Sequence, residues 1–118
     1  MCLDREVLKT AEKDIVCWKV VRLTPERTLV SLYQETPIKG GLHNSQFTPE
    51  GEEGWYAYAD KKGVRTEIRY QTTMSWEPVQ LSDLVVLKCK IPKGTVYAEG
   101  IFCGDKAYRA DKMVIGIR

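Results

Sequence analysis

The sequence predicts an α+β domain that is mostly antiparallel β, a twisted sheet or open barrel with a short N-terminal helix. Three observations lead there. Short runs rich in β-branched and apolar residues, IVCWKVVRL, TLVSLYQ, LVVLKCKI and MVIGIR, recur along the chain, and runs of that length and composition fit strands better than helices. Turn formers separate them, Thr24-Pro25-Glu26 and Pro92-Lys93-Gly94 among them, and short turns join antiparallel neighbours. Apolar spacing of the helical kind occurs at the N-terminus. At 118 residues the expectation is one domain, 1–118, able to bury a core without metal or disulfide support.

Each element follows from its pattern. Leu3, Val7, Leu8 and Ala11 recur at helical spacing among charged residues, so residues 1–13 read as a short amphipathic helix that must dock on the rest to be stable. From Ile15 the run IVCWKVVRL is apolar on both faces apart from Lys19 and Arg22, which suits a central strand covered on both sides. Val16, Trp18 and Val20 share one face, and Ile15, Cys17 and Val21 the other. TLVSLYQ, residues 28–34, is the next strand. Residues 36–54, opening on Thr36 and closing on Gly54, hold Pro37, Gly40, Gly41, Pro49, Gly51 and three glutamates, the composition of a long loop and the first place to look for a site.

GWYAYAD and VRTEIRYQT flank Lys61, Lys62 and Gly63. Asp60 can open a type I turn and Gly63 can take the left-handed position that closes it, so the two runs read as a hairpin. Trp55, Ala57 and Ala59 then face one way, Tyr56 and Tyr58 the other. In LVVLKCKI, Val85, Leu87, Cys89 and Ile91 form an apolar face opposite Lys88 and Lys90, and Pro92-Lys93-Gly94 turns that strand into TVYAEGIF as a second hairpin. MVIGIR supplies the last strand.

Composition excludes several classes. No run approaches the roughly 20 apolar residues that cross a bilayer, and the first residues, MCLDREVLKTAEKD, lack the apolar core and cleavage site of a secretory signal. Cytoplasmic residence is the expectation, and no membrane partner. Eighteen basic and 16 acidic residues leave a charge of +2, too balanced to point to nucleic acid by field alone. Residues 85–118 carry seven bases against three acids, a net of +4, and the rest of the chain −2. Alternating lysines such as Lys88 and Lys90, with Lys93, more often form a solvated strand face than a phosphate track, so a nucleic-acid partner ranks last. Cys2, Cys17, Cys89 and Cys103 lie far apart without a CxxC pair, which argues against a zinc site and implies no metal ligands. Cys17 and Cys89 read as buried thiols, with a disulfide between them the alternative in an exported protein.

Candidate ligand-binding residues cluster in and just after the loop. His43, the single histidine, neighbours Asn44 and Ser45 in a glycine-flanked stretch and could position a ligand or act as a base. The rings of Trp55, Tyr56 and Tyr58, with Tyr70 and Trp76, could stack on a flat ligand or fill the core. Trp18 and Trp55 read as core. Phosphate-cradling, dinucleotide-binding and zinc-protease motifs are absent, so no cofactor and no catalytic residue is expected from motifs.

Two resemblances bear on function. CWKVV, GGLH, and LKCKIPKGTVYAEG followed by YRADKMVI together resemble small uncharacterised proteins of gut bacteria and their phages, a domain of unknown function that shares an IPKGT-Y-G segment and a later apolar tail. That resemblance implies no activity. GWYAYAD followed by VVLKCKI is similar in order to strands of ADP-ribosyltransferases, whose split β-fold binds NAD; the resemblance implies Tyr56 against nicotinamide, His43 or Arg22 on ribose or phosphates, and Glu99 in the catalytic carboxylate's place. The first strand lacks that family's histidine. The leading expectation is a non-catalytic module that binds a protein or small ligand through His43, Asn44, Tyr56 and Tyr58; the alternative is a transferase, active or degenerate, built on Arg22, His43, Tyr56 and Glu99.

Overall fold

The nine-residue run IVCWKVVRL forms strand β2 (Ile15–Leu23), and its two apolar faces are both used. Cys17 and Val21 are buried on one side and Val20 on the other, as expected of a central strand. The computed structural model describes residues 3–32 and 36–116. The other strands are β1 (Asp4–Thr10), β3 (Leu29–Ser31), β4 (Gly41–Asn44), β5 (Trp55–Tyr58), β6 (Leu84–Ile91), β7 (Val96–Phe102), β8 (Asp105–Ala110) and β9 (Lys112–Ile115), with one helix, α1 (Lys61–Arg69). They form one open, wholly antiparallel sheet in the order β1-β7-β8-β5-β2-β6-β9-β4, with β3 also beside β2.

The sheet curls so that inward residues of several strands meet in one core, where Cys17, Leu87, Ile91, Ala110, Met113 and Ile115 are buried. Tyr97 and Tyr108 close one side of it, edge to face at 5.6 Å between ring centres. A second cluster forms on the other face of β2, β5 and β8, where α1 lays Val64 and Ile68 on Val20, Tyr58, Ala107 and Trp18. The expected face of β6 holds: Leu87, Cys89 and Ile91 are buried, Val85 packs against them and Lys88 and Lys90 are exposed.

Three expectations are corrected. The N-terminal segment is a strand, not a helix: β1 pairs with β7 at the sheet edge and leaves Val7 and Leu8 exposed. Its helical spacing is outweighed by backbone pairing with a distant strand, a non-local term that no local propensity contains. The residues after Asp60 form α1 rather than the return strand of a hairpin. Asp60 caps that helix by accepting from the Gly63 amide at 3.2 Å, and an aspartate that opens a turn is equally a helix N-cap. Gly63 serves close packing, since a β-carbon there would lie 2.5 Å from the Tyr58 ring. After α1 the chain makes one π-helical turn, Tyr70–Met74. Third, β6 and β7 do not form a hairpin. The Pro92-Lys93-Gly94 bend instead sends the chain to the far side of the sheet, where β7 pairs with β1 and β8 while β6 pairs with β2 and β9.

Residues 36–54 also contain a strand the composition hides, β4, paired with β9. TLVSLYQ keeps only β3, with Tyr33 and Gln34 outside the described residues. Cys17 and Cys89 face each other across β2 and β6 as free thiols, and burial pushes Cys17 up to about 12 and Cys89 upward as well. Cys103 is exposed, and Cys2 lies outside the described residues.

Leu87 has no exposed surface. Leu87→Ala should cost about 2–5 kcal/mol in urea denaturation, and a loss below about 0.5 kcal/mol would show that this strand face is not core.

Candidate functional site

One edge of β2 pairs with β6 from Ile15 opposite Ile91 to Arg22 opposite Leu84. Its other edge is divided. β5 meets it at Trp18 opposite Tyr58, and β3 takes over from Val21 opposite Ser31. Lys19 and Val20 fall in between, and the sheet splits there into a cavity of about 200 Å³. Strand alternation puts Lys19 on the inward face with Cys17 and Val21.

Residues of three kinds line the cavity: aromatic Trp55, Tyr56 and Tyr58, basic Lys19, and acidic Glu53 and Glu67. Lys19 Nζ donates to the Tyr56 carbonyl at 2.8 Å and lies 5.7 Å from the centre of the Trp55 ring. Burial pulls the Lys19 ammonium down to about 8, with the nearby Glu67 charge among the influences pulling the other way. Glu67 reaches the site from α1 and is itself buried; it accepts from the Tyr58 hydroxyl at 2.7 Å and from Gln71 Nε2 at 3.0 Å. The arrangement offers an amine donor and a carboxylate acceptor between flat apolar walls, the mix that small-molecule sites use.

The loop wall is held by Arg109, a fully buried residue of β8. Its Nε and Nη2 donate to Glu6 of β1 at 2.9 and 3.3 Å, its Nη1 to the carbonyls of Thr48 and Glu53 at 2.9 and 2.8 Å, and its Nη2 also to Pro49 O at 3.3 Å. Phe47 stacks on the guanidinium at 4.5 Å. All five N–H donors of the guanidinium therefore have acceptors. Gly54 lets the chain pass this side chain, for a β-carbon there would lie 2.7 Å from Arg109 Cγ. The next residue begins β5, so the arginine sets where Trp55 and Tyr56 stand.

Of the residues expected to bind ligand, Asn44, Tyr56 and Tyr58 line the cavity. The Tyr56 hydroxyl donates to Glu52 O and the Asn44 carbonyl accepts from the Trp55 indole at 3.0 Å. His43 stands outside it, with Nε2 2.6 Å from Lys39 O and its ring 5.1 Å from that of Trp55. Of Arg22, His43, Tyr56 and Glu99, Tyr56 alone is on the cavity wall; Glu99 is on β7, bound by Lys9 and Lys106 at 3.3 Å each. Trp76 is 97% exposed. Lys90 is paired with Asp14 at 3.5 Å, and Asp14 also accepts from the Lys93 amide, the main reason its carboxyl is held below its ordinary value.

Lys19, Glu67 and Arg109 were not among the expected site residues, yet each carries a signal. Lys19 interrupts an apolar strand face, and Glu67 falls on the stripe of Val64, Ile68 and Gln71 at helical spacing. Arg109 lies between two alanines and a tyrosine, Ala107-Tyr108-Arg109-Ala110, small neighbours that leave room for a buried guanidinium.

Two measurements check this geometry. Arg109→Met should cost about 3 kcal/mol, the scale of breaking a buried ion pair, and should speed cleavage by a glutamate-specific protease at Glu50, Glu52 and Glu53; unchanged protection would show that the loop is held by something else. For Lys19, the folded-state value of about 8 lies below the ordinary 10.5. Below pH 8 both states hold the proton and the full burial cost is present. Between the two values the unfolded chain binds the extra proton, so stability rises with pH. Wild type should therefore gain stability relative to Lys19→Met from pH 8 to 10.5, measured by urea denaturation at each pH, and a flat difference would place the amine in water.

Compared with protein-family models, curated proteins and solved structures, the chain matches none.

Proposed function

We propose that this protein is a small-molecule-binding module whose ligand occupies the split between β5 and β3. The observation that carries the reading is that Lys19 and the buried Glu67 line one cavity together with the aromatic residues Trp55, Tyr56 and Tyr58. A few polar groups set among aromatic walls fix orientation, while the walls supply the apolar contact. Two acidic residues, Glu53 and Glu67, line the cavity against one basic residue, Lys19, a balance that disfavours an anion. An uncharged, flat molecule with an acceptor for Lys19 suits the site best. The reading is of binding rather than turnover: the Ser45 hydroxyl on the wall already donates to Asp111 O at 3.0 Å, and His43 is directed to the backbone of Lys39.

Benzyl alcohol is a suitable first probe, having one ring and one hydroxyl. Titrated into labelled protein, it should shift the Trp55 indole N–H resonance saturably in the millimolar range expected of so small a ligand, and Lys19→Met or Tyr56→Ala should abolish the shift. No saturable shift, or shifts centred on the exposed Trp76, would reject the reading.

A further inference from the structure

An ammonium has three N–H donors. Among the described residues Lys19 Nζ has one hydrogen-bond acceptor, Tyr56 O, one aromatic face, Trp55, and no ion-pair partner. The Tyr56 carbonyl accepts most strongly from an ammonium but can also accept an N–H from a neutral amine, so this anchor survives, weakened, the loss of a proton that leaves a lone pair on nitrogen. The backbone of Lys19 is fixed by pairing with β6 on both sides, and its amine is held at the end of the side chain by the Tyr56 carbonyl and the Trp55 ring.

We propose that Lys19 is the attachment point for a carbonyl compound, an aldehyde or ketone, that enters this cavity and is held there as an imine. The inference rests on reading the cavity as a small-molecule site. Its size suits a one-ring carbonyl compound: a cavity of about 150 Å³ takes benzene, and this one measures about 200 Å³.

The chemistry balances without an oxidant or reductant. The neutral Lys19 nitrogen adds to the carbonyl carbon, forming a C–N bond, while the carbonyl π electrons move to oxygen; the proton released by nitrogen ends on that oxygen, giving a carbinolamine. The C–O bond then breaks as the nitrogen lone pair completes the C=N bond, and the departing hydroxide together with the one proton still on nitrogen leaves as water, giving the neutral imine. An imine takes up a proton to become a cation. Glu67 lines the same cavity with its two oxygens already held by Tyr58 and Gln71, a fixed negative charge that offsets the iminium. The same charge opposes a carboxylate ligand, which separates a carbonyl compound from a plain anion as the occupant. Burial lowers Lys19 to about 8, which raises the share of the nucleophilic form near neutral pH.

The test uses the full chain, benzaldehyde as probe and sodium cyanoborohydride to trap the imine as a benzyl amine, read by intact mass and peptide mapping. With Lys19 lowered to about 8, a large share of it, on the order of half, is neutral at pH 8, against less than about 1% of an ordinary lysine. With limiting probe, Lys19 should carry about tenfold or more benzyl label than any surface lysine, allowing for the lower nucleophilicity of a weaker base. Lys19→Arg, whose guanidinium stays protonated and does not add to a carbonyl, should remove that label, with a cooperative urea transition showing that the variant is folded, and Glu67→Gln should lower the yield at Lys19 alone. Label spread evenly over the lysines overturns the proposal. Absent Lys19 label together with the benzyl alcohol shift of Trp55 overturns imine formation and leaves the binding reading standing, whereas neither label nor shift overturns both.

Discussion

A guanidinium buried near the C-terminal end of β8 is the constraint on which the site depends. A charge removed from water must be paired and hydrogen-bonded or it destabilises the fold, and Arg109 meets that demand with Glu6 of β1 and three carbonyls of the 47–54 loop. In doing so it joins the first strand, a long irregular segment and the centre of the sheet. Small residues make room for it and for what it binds. Gly54 passes beside its stem, and Gly100 admits the irregular stretch of β1 around Arg5 and Glu6, where a β-carbon would lie 2.8 Å from Asp4 O. Bulges of this kind commonly re-aim a side chain, and here the irregularity coincides with the residue that reaches Arg109.

The cavity arises from a second constraint, the sharing of one edge of β2 by two short strands. β5 and β3 each pair with only part of that edge, so the sheet parts between them, at Lys19 and Val20. Polar side chains enter the opening from both faces, Lys19 from the inner side of β2 and Glu67 from the helix on the outer side. Their partners are already in place: among the described residues no buried side-chain nitrogen or oxygen lacks a hydrogen-bond partner. A polar network satisfied in this way is fixed before any ligand arrives, and such preorganisation reduces the ordering cost of binding.

Legibility in the sequence followed the range of the interactions. The faces of β2, β5 and β6 could be read from alternation, because a buried face imposes a period of two on its own strand. The apolar positions Trp55, Ala57, Leu87 and Ile91 and the cavity residues Tyr56, Tyr58 and Asn44 were found this way or from the loop's composition. The stretch after Asp60 misled because its first residues suit a turn and a helix cap equally, while the spacing of Val64, Glu67, Ile68 and Gln71 is helical but broken by two polar side chains. Of those two, Glu67 lines the cavity and Gln71 holds its carboxylate. β1 misled for the opposite reason: exposed on both faces, it carries no alternation, and its strand state comes from β7.

By itself, the sequence determined a mostly antiparallel sheet, the two-sided burial of IVCWKVVRL, the solvated lysines of β6 and a loop-centred region of interest, all properties written into periodicity, turn chemistry and composition. The tertiary structure alone decided the strand order, the separation of β6 from β7, the state of β1 and the meeting of Lys19 with Glu67 and of Arg109 with Glu6. Pairing between strands far apart in the chain depends on which edges are left open once the others have formed, and the surroundings of a charged side chain are set by neighbours far from it in sequence. Lys19 is therefore visible in the sequence as an oddity on an apolar face, but only the fold shows that it borders a cavity.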